Sequence, residues 1–179
     1  IKGKECNTYW IISYRLPNEF VAYRINLNGV EINPVKTIVN INAKDKRGYL
    51  KISPDGSKVA IAHMGDKAML LYKFNSSSGK LSDQVRINLP AQNNNPYGVE
   101  FSGSGEKLYV HASNDFYSEN SATWNDPNNH TSSLYQFNLK NYNTKSINNS
   151  IIEIDNQNLF TYKSLIKLAA NYKSSRNNH

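Results

Sequence analysis

The chain has 179 residues, with 21 Lys and Arg against 14 Asp and Glu, a formal net charge of +7 and a mean hydropathy of −0.63. The basic residues are scattered rather than massed beside stacking aromatics, which argues against a nucleic-acid surface. The single cysteine, Cys6, excludes an internal disulfide framework and a cysteine-built zinc site, and no apolar run approaches the roughly 20 residues of a membrane helix.

Read in chain order, the sequence is a succession of short strands and turns. Thr8–Tyr14 and Phe20–Leu27 alternate as strands, Asn28-Gly29 is a hairpin signal, and Ile32–Val39 gives a further strand. The strand that should precede Thr8 is absent or lies among the first residues. Leu50-Lys51-Ile52 opens the next unit, and Ser53-Pro54-Asp55-Gly56 closes it as a tight turn, Pro presetting φ and Gly free to take positive φ. Lys58–His63, Met69–Phe74 and Gln84–Leu89 complete four strands, here labelled A to D.

These units repeat. Ser53 of the Gly48–Ile61 stretch returns as Ser102 of Tyr97–Val110, an offset of 49 residues (102 − 53). The same offset carries Val21–Asn26 onto Leu70–Asn75, Trp10-Ile11-Ile12 onto Val59-Ala60-Ile61, and Val35–Ile38 onto Gln84–Ile87. A period of roughly 40–50 residues built only from strands and turns is the signature of a β-propeller blade. Blades are expected at about 7–40, 48–90 and 97–155, with a degenerate start of a fourth at about 160–173 and a tail over 174–179. In the third blade Leu134–Asn138 lies 63 positions after Leu71–Asn75 (134 − 71), so an insertion of 14 residues (63 − 49) falls within Asn114–Thr131. Ile166-Lys167-Leu168-Ala169 repeats the pattern of Leu50-Lys51-Ile52-Ser53 and is followed by no B strand. A closed propeller takes at least about four blades; the chain reads as a piece of a larger protein or a truncated product. The asparagine-rich stretch Asn141–Asn149 reads as compositional bias.

The string Gly48–Ala60, followed by Leu71–Asn75 and Pro96–Ser102, resembles the WD40-like propeller region of large secreted Bacteroidetes proteins associated with gliding motility and type IX secretion. Cys6–Ile12, with its Tyr-Trp pair, resembles the start of that region. Ser102-Gly103-Ser104-Gly105 departs from the Pro-Asp turn of the pattern. The resemblance implies a secreted, cell-surface location and assigns no catalytic residues.

Four sets of candidate residues stand out. His63 and His111 end successive B strands but fall on opposite faces, poor geometry for a shared metal, and read as blade-edge histidines. Lys51, Glu100 and Lys167 share the strand-A position, where Lys51 and Glu100 are expected to pair across blades or to form a charged channel ring. The insertion holds the ligand-binding candidates Asp115, Tyr117, Glu119, Trp124, Asn125 and Asp126, acids, amides and aromatics on a long loop suited to a sugar or peptide; their spacing matches no calcium loop. Tyr9, Trp10, Tyr72 and Tyr135 recur at similar strand positions and read as inter-blade packing.

The expected fold is therefore all-β, a partial propeller of four-stranded antiparallel blades, about three plus a stump. The expected function is a non-enzymatic interaction or scaffold module binding protein or glycan through its loops, without cofactor or metal. The alternative is a fragment of a lactonase-like propeller hydrolase with a channel metal; inner strands offering Lys51, Glu100 and Lys167 supply few ligands for one. An incomplete propeller leaves edges and faces open, so the partners expected are the remaining blades of a parent chain or further copies of itself.

Overall fold

A computed structural model describes residues 1–114 and 130–157, and these form three separate antiparallel sheets. The first holds β1 (Tyr9–Arg15), β2 (Glu19–Asn26), β3 (Gly29–Val30) and β4 (Val35–Ile38). The second holds β5 (Leu50–Ile52), β6 (Lys58–His63), β7 (Ala68–Asn75) and β8 (Lys80–Ile87) in sequential order. The third holds β9 (Asn95–Phe101), β10 (Lys107–Ser113), β11 (Ser132–Asn138) and β12 (Ile152–Gln157), again sequential. Sequential four-stranded sheets stacked face to face are propeller blades.

The turns are built as their residues dictate. Gly56 and Gly105 take φ of +70° and +68° at the same place in blades 2 and 3, and each donates its amide to the serine three residues earlier at 2.8 Å. Ser53 Oγ and Ser57 Oγ both donate to the Asp55 carboxylate, at 2.5 and 2.6 Å. In blade 3, where Ser104 replaces the aspartate, Ser102 Oγ still accepts the Lys107 amide at 3.1 Å, as Ser53 Oγ accepts that of Lys58 at 2.9 Å.

Three features differ from the sequence expectation. The D strand of blade 2 begins at Lys80, not Gln84, because Gly79 at φ +72° completes a short turn and starts the strand at once. The D strand of blade 1 is split into β3 and β4 around Pro34, which has no amide to donate. The Asn-rich stretch contains a short helix, α1 (Thr144–Asn149), capped by the Asn143 side chain accepting from the Lys145 and Ser146 amides. Its Ile147 is fully buried.

Each gap between blades holds one core. Between blades 2 and 3 it comprises Ala60, Ala62, Met69, Leu71, Val85 and Ile87 against Val99, Phe101, Leu108, Val110, Tyr135 and Phe137. Between blades 1 and 2 it comprises Trp10, Phe20 and Ala22 against Val59, Ile61, Leu70, Tyr72 and Phe74. Burying a side chain such as Phe20 or Leu70 contributes roughly 1.5–3 kcal/mol.

The second core corrects a register. Ile12 pairs with Ala22, and Ala60 pairs with Leu71. Strand C keeps the 49-residue offset (71 − 22), so strand B of blade 1 is offset by 48 (60 − 12). The cause is the connection Leu16-Pro17-Asn18, one residue shorter than Met64–Lys67. A slip of one residue inverts the faces: Trp10, Ile12 and Tyr14 face blade 2, and Tyr9, Ile11 and Ser13 face away from it.

Candidate functional site

In blades 2 and 3 the connection from the preceding D strand and the B-to-C connection meet at one end of the sheet. In blade 2 the first of these is Lys44-Asp45-Lys46-Arg47 and the second includes Gly65-Asp66. One carboxylate ties them together: Asp66 Oδ2 accepts the amides of Lys44 and Asp45 at 2.9 and 3.0 Å. Asp45 in turn receives the Arg47 amide at 2.9 Å and the Arg47 guanidinium through Nε and Nη2. The Arg47 hydrogen bond holds the Asp45 carboxyl below its ordinary range, against the opposing effect of burial.

Behind these loops an open cleft of about 590 Å³ runs between blades 1 and 2, lined by Tyr14, Leu16, Asp45, Lys46, Gly48 and His63 among others. His63 is 3% exposed. Its ring packs edge-on against Tyr14 at a centroid distance of 4.8 Å, and Tyr14 Oη donates to the Pro17 carbonyl at 2.6 Å. Burial, followed by the Asp66 charge, pushes the Tyr14 hydroxyl up to about 12. Burial holds His63 below the ordinary 6.5; Asp66, Asp45 and a hydrogen bond to the Asp45 backbone offset this only in part. The ring is therefore neutral near pH 7, and its Nε2 has no hydrogen-bond partner among the described residues. Lys44 and Lys46, both exposed, make no ion pair among the described residues, so the loop presents uncompensated positive charge.

Blade 3 carries a second polar cluster at the same end. Asn93 accepts from Thr131 Oγ1 at 2.7 Å and donates to Ser133 Oγ at 2.8 Å, again tying the connection before strand A to the one after strand B.

Lys51 Nζ lies 2.8 Å from Glu100 Oε2, half-buried, across the innermost strands β5 and β9. Beside it the Tyr49 amide donates to the Tyr97 carbonyl at 2.9 Å, and the two rings lie 5.4 Å apart. Lys51 is thus occupied in an inter-blade contact. His111 lies between Val110 and Ala112, both in the core with blade 2, so it points to the opposite face. Asp115, Tyr117, Glu119, Trp124, Asn125, Asp126 and Lys167 lie outside the described residues. Among the described residues no three His, Cys, Asp or Glu side chains group to hold a metal. The cleft was missed in the sequence because His63 meets Tyr14 only through the 48-residue register. The signal available was the Lys44–Arg47 charge cluster before Gly48.

No protein-family model and no curated protein matches the chain. Solved structures do. A protein described as a 6-phosphogluconolactonase from Bacteroides uniformis aligns with a TM-score of 0.49 at 10% identity, over 86% of this chain and 39% of its own. The periplasmic gluconolactonase of Pseudomonas aeruginosa gives 0.44 at 13%, over 89% and 39%. A luciferin-regenerating enzyme gives 0.44 at 15%, over 87% and 44%. The chain spans about two-fifths of the length of these proteins. All three are enzymes by name, and the expectation of a non-enzymatic scaffold, with that of a chain without enzyme activity, is corrected on this finding. At such identities the likeness concerns architecture only, and the sheets on their own show it: the chain is a set of consecutive β-propeller blades.

Proposed function

We propose that the chain is a sector of a propeller hydrolase acting on a small anionic ester or lactone in the cleft between blades 1 and 2. The observation that supports this is the buried His63, neutral and with Nε2 unpartnered, beneath a loop bearing free Lys44 and Lys46. A buried polar atom without a partner costs roughly 1–3 kcal/mol, and such a cost is retained where the atom has work to do. In this reading water attacks the substrate carbonyl as its proton passes to Nε2. The acyl C–O bond breaks, and the proton is handed to the leaving alkoxide. Lys46, which lines the cleft, holds the substrate's anionic group, and the Tyr14 ring moves aside to admit the carbonyl. The resemblance to secreted gliding-motility surface proteins supports placing this sector outside the cytoplasm.

The test is acid release from a panel of phosphorylated and carboxylated lactones in a pH-stat, with wild type and His63→Asn. The expected result is wild-type turnover and a loss of about 100-fold in the variant, with its circular dichroism unchanged. An inert wild type, or a variant as active as wild type, overturns the reading.

A further inference from the structure

His63 has a hydrogen bond to the Asp45 backbone, and that contact favours the protonated ring. A backbone group with this effect is the carbonyl, an acceptor, so the ring nitrogen beside it carries a proton. Nε2 has no hydrogen-bond partner among the described residues, so the nitrogen in question is Nδ1. In the neutral ring the proton then sits on Nδ1 and the lone pair on Nε2. Tyr14, packed edge-on against the ring, donates its hydroxyl proton to the Pro17 carbonyl instead.

The Asp45 carbonyl holds one nitrogen only if the loop that carries it is itself held. Two carboxylates do this reciprocally. Asp66, from the connection after His63, accepts the Lys44 and Asp45 amides at 2.9 and 3.0 Å. Asp45, from the loop, accepts the Arg47 amide at 2.9 Å, and the Gly65 amide also helps to keep its carboxyl ionised. A Cβ on Gly65 would collide with the Asp45 carboxylate. The Met64 amide donates to the Arg47 carbonyl at 3.0 Å and closes the arrangement. The carbonyl used by His63 is thus fastened on both sides along the chain.

Blade 3 shows that joining these two connections does not require charge. There the neutral Asn93 joins them through Thr131 and Ser133. The residue matching His63 at the 49-residue offset is Ala112 (112 − 63). Carboxylates stand in place of the neutral tie in the blade that carries the histidine.

The structure assigns to Asp66 a positioning role: it fixes the Asp45 carbonyl against Nδ1 of His63 and so selects the tautomer whose Nε2 can accept a proton. Only the consequence for turnover rests on His63 serving as the base of the proposed hydrolase.

Two-bond proton–nitrogen correlation spectra of the full chain at about pH 8, where the ring is neutral, show which ring nitrogen carries the proton. Wild type is expected to hold it on Nδ1. Asp66→Asn, whose amide oxygen accepts the same two amides, is expected to keep that form. Asp66→Ala is expected to lose it and show a mixture of both tautomers. Gly65→Ala, which displaces the Asp45 carboxylate, disturbs the loop from its other side and is expected to give the same mixture. A wild-type proton on Nε2, or alanine variants with the wild-type tautomer, overturns the assignment. Lactone turnover in Asp66→Ala is expected to fall roughly 10–100-fold, as misplacement of a reacting group does, with Asp66→Asn retaining most of it. A wild type inert on every lactone, but with an Nδ1 proton that Asp66→Ala loses, overturns the hydrolase reading and upholds the positioning role.

Discussion

Asp55 shows how much one side chain can fix. Its carboxylate accepts both serine hydroxyls and the Ser57 amide within a four-residue turn, and Lys58 Nζ stands 3.6 Å away. Burial opposes its ionisation, but these hydrogen bonds prevail and hold its pKa far below the carboxylate range. Asp55→Ala is expected to cost about 1–2 kcal/mol, since it strands donors that now share one charged acceptor; urea denaturation reads this as a lower midpoint at unchanged slope. His63 makes the opposite kind of contribution. Its folded pKa lies below the unfolded value of 6.5, so below that pH the unfolded chain binds the extra proton. The stability it allows is therefore complete above about pH 6.5 and declines as the pH falls toward the folded pKa. Asp45 and Asp55, also depressed, exert their effect only near and below their ordinary value of 3.8. Thermal melts between pH 8 and 5 are expected to show a decline in wild type that His63→Asn lacks. Parallel curves for the two proteins would mean that His63 is not the titrating group.

At the scale of elements, most of the fold was legible because each blade advertises its hairpins. Ser53-Pro54-Asp55-Gly56 and Asn28-Gly29 name their turns, and alternation in β6 names its faces. What stayed hidden were features decided by contact between elements. Leu16-Pro17-Asn18 shortens one connection by a residue, and no local propensity records that this turns Tyr14 toward His63; the cleft was concealed for that reason. Helix α1 lay unseen because its six residues carry little periodicity, and it owes its place to the Asn143 cap and the burial of Ile147. The Lys51–Glu100 contact, by contrast, followed directly from equal strand positions in neighbouring blades. Blade docking depends equally on a close approach: Trp10 Nε1 donates to the Ser76 carbonyl at 2.8 Å, and a Cβ on Gly79 would lie 2.5 Å from the Trp10 ring. Because Gly79 also holds φ +72°, Gly79→Ala combines overpacking with left-handed strain. We expect it to cost about 2–4 kcal/mol, whereas Gly105→Ala, with the same conformation but no atom nearer than 3.7 Å to its Cβ, is expected to cost about 1–2 kcal/mol. Equal losses at the two sites would show that the ring contact contributes nothing.

The whole molecule is a stack in which each blade touches only its neighbours, so its stability should be distributed along the stack rather than uniform. Blade 2 has both faces covered: Val59 and Leu70 are fully buried against blade 1, and Ala60 and Leu71 against blade 3. Among the described residues, blade 1 has one face covered by another blade, Ile11 half-exposed on the other and no strand beside Ile11–Arg15 on its inner edge, and opening it exposes less additional apolar surface than opening blade 2. Amide hydrogen exchange is therefore expected to be slowest in β6 and β7 and fastest in β1 and β2. Uniform protection across the blades would contradict the stacked account. A β1 as slow as β6 would mean that its edge is already occupied.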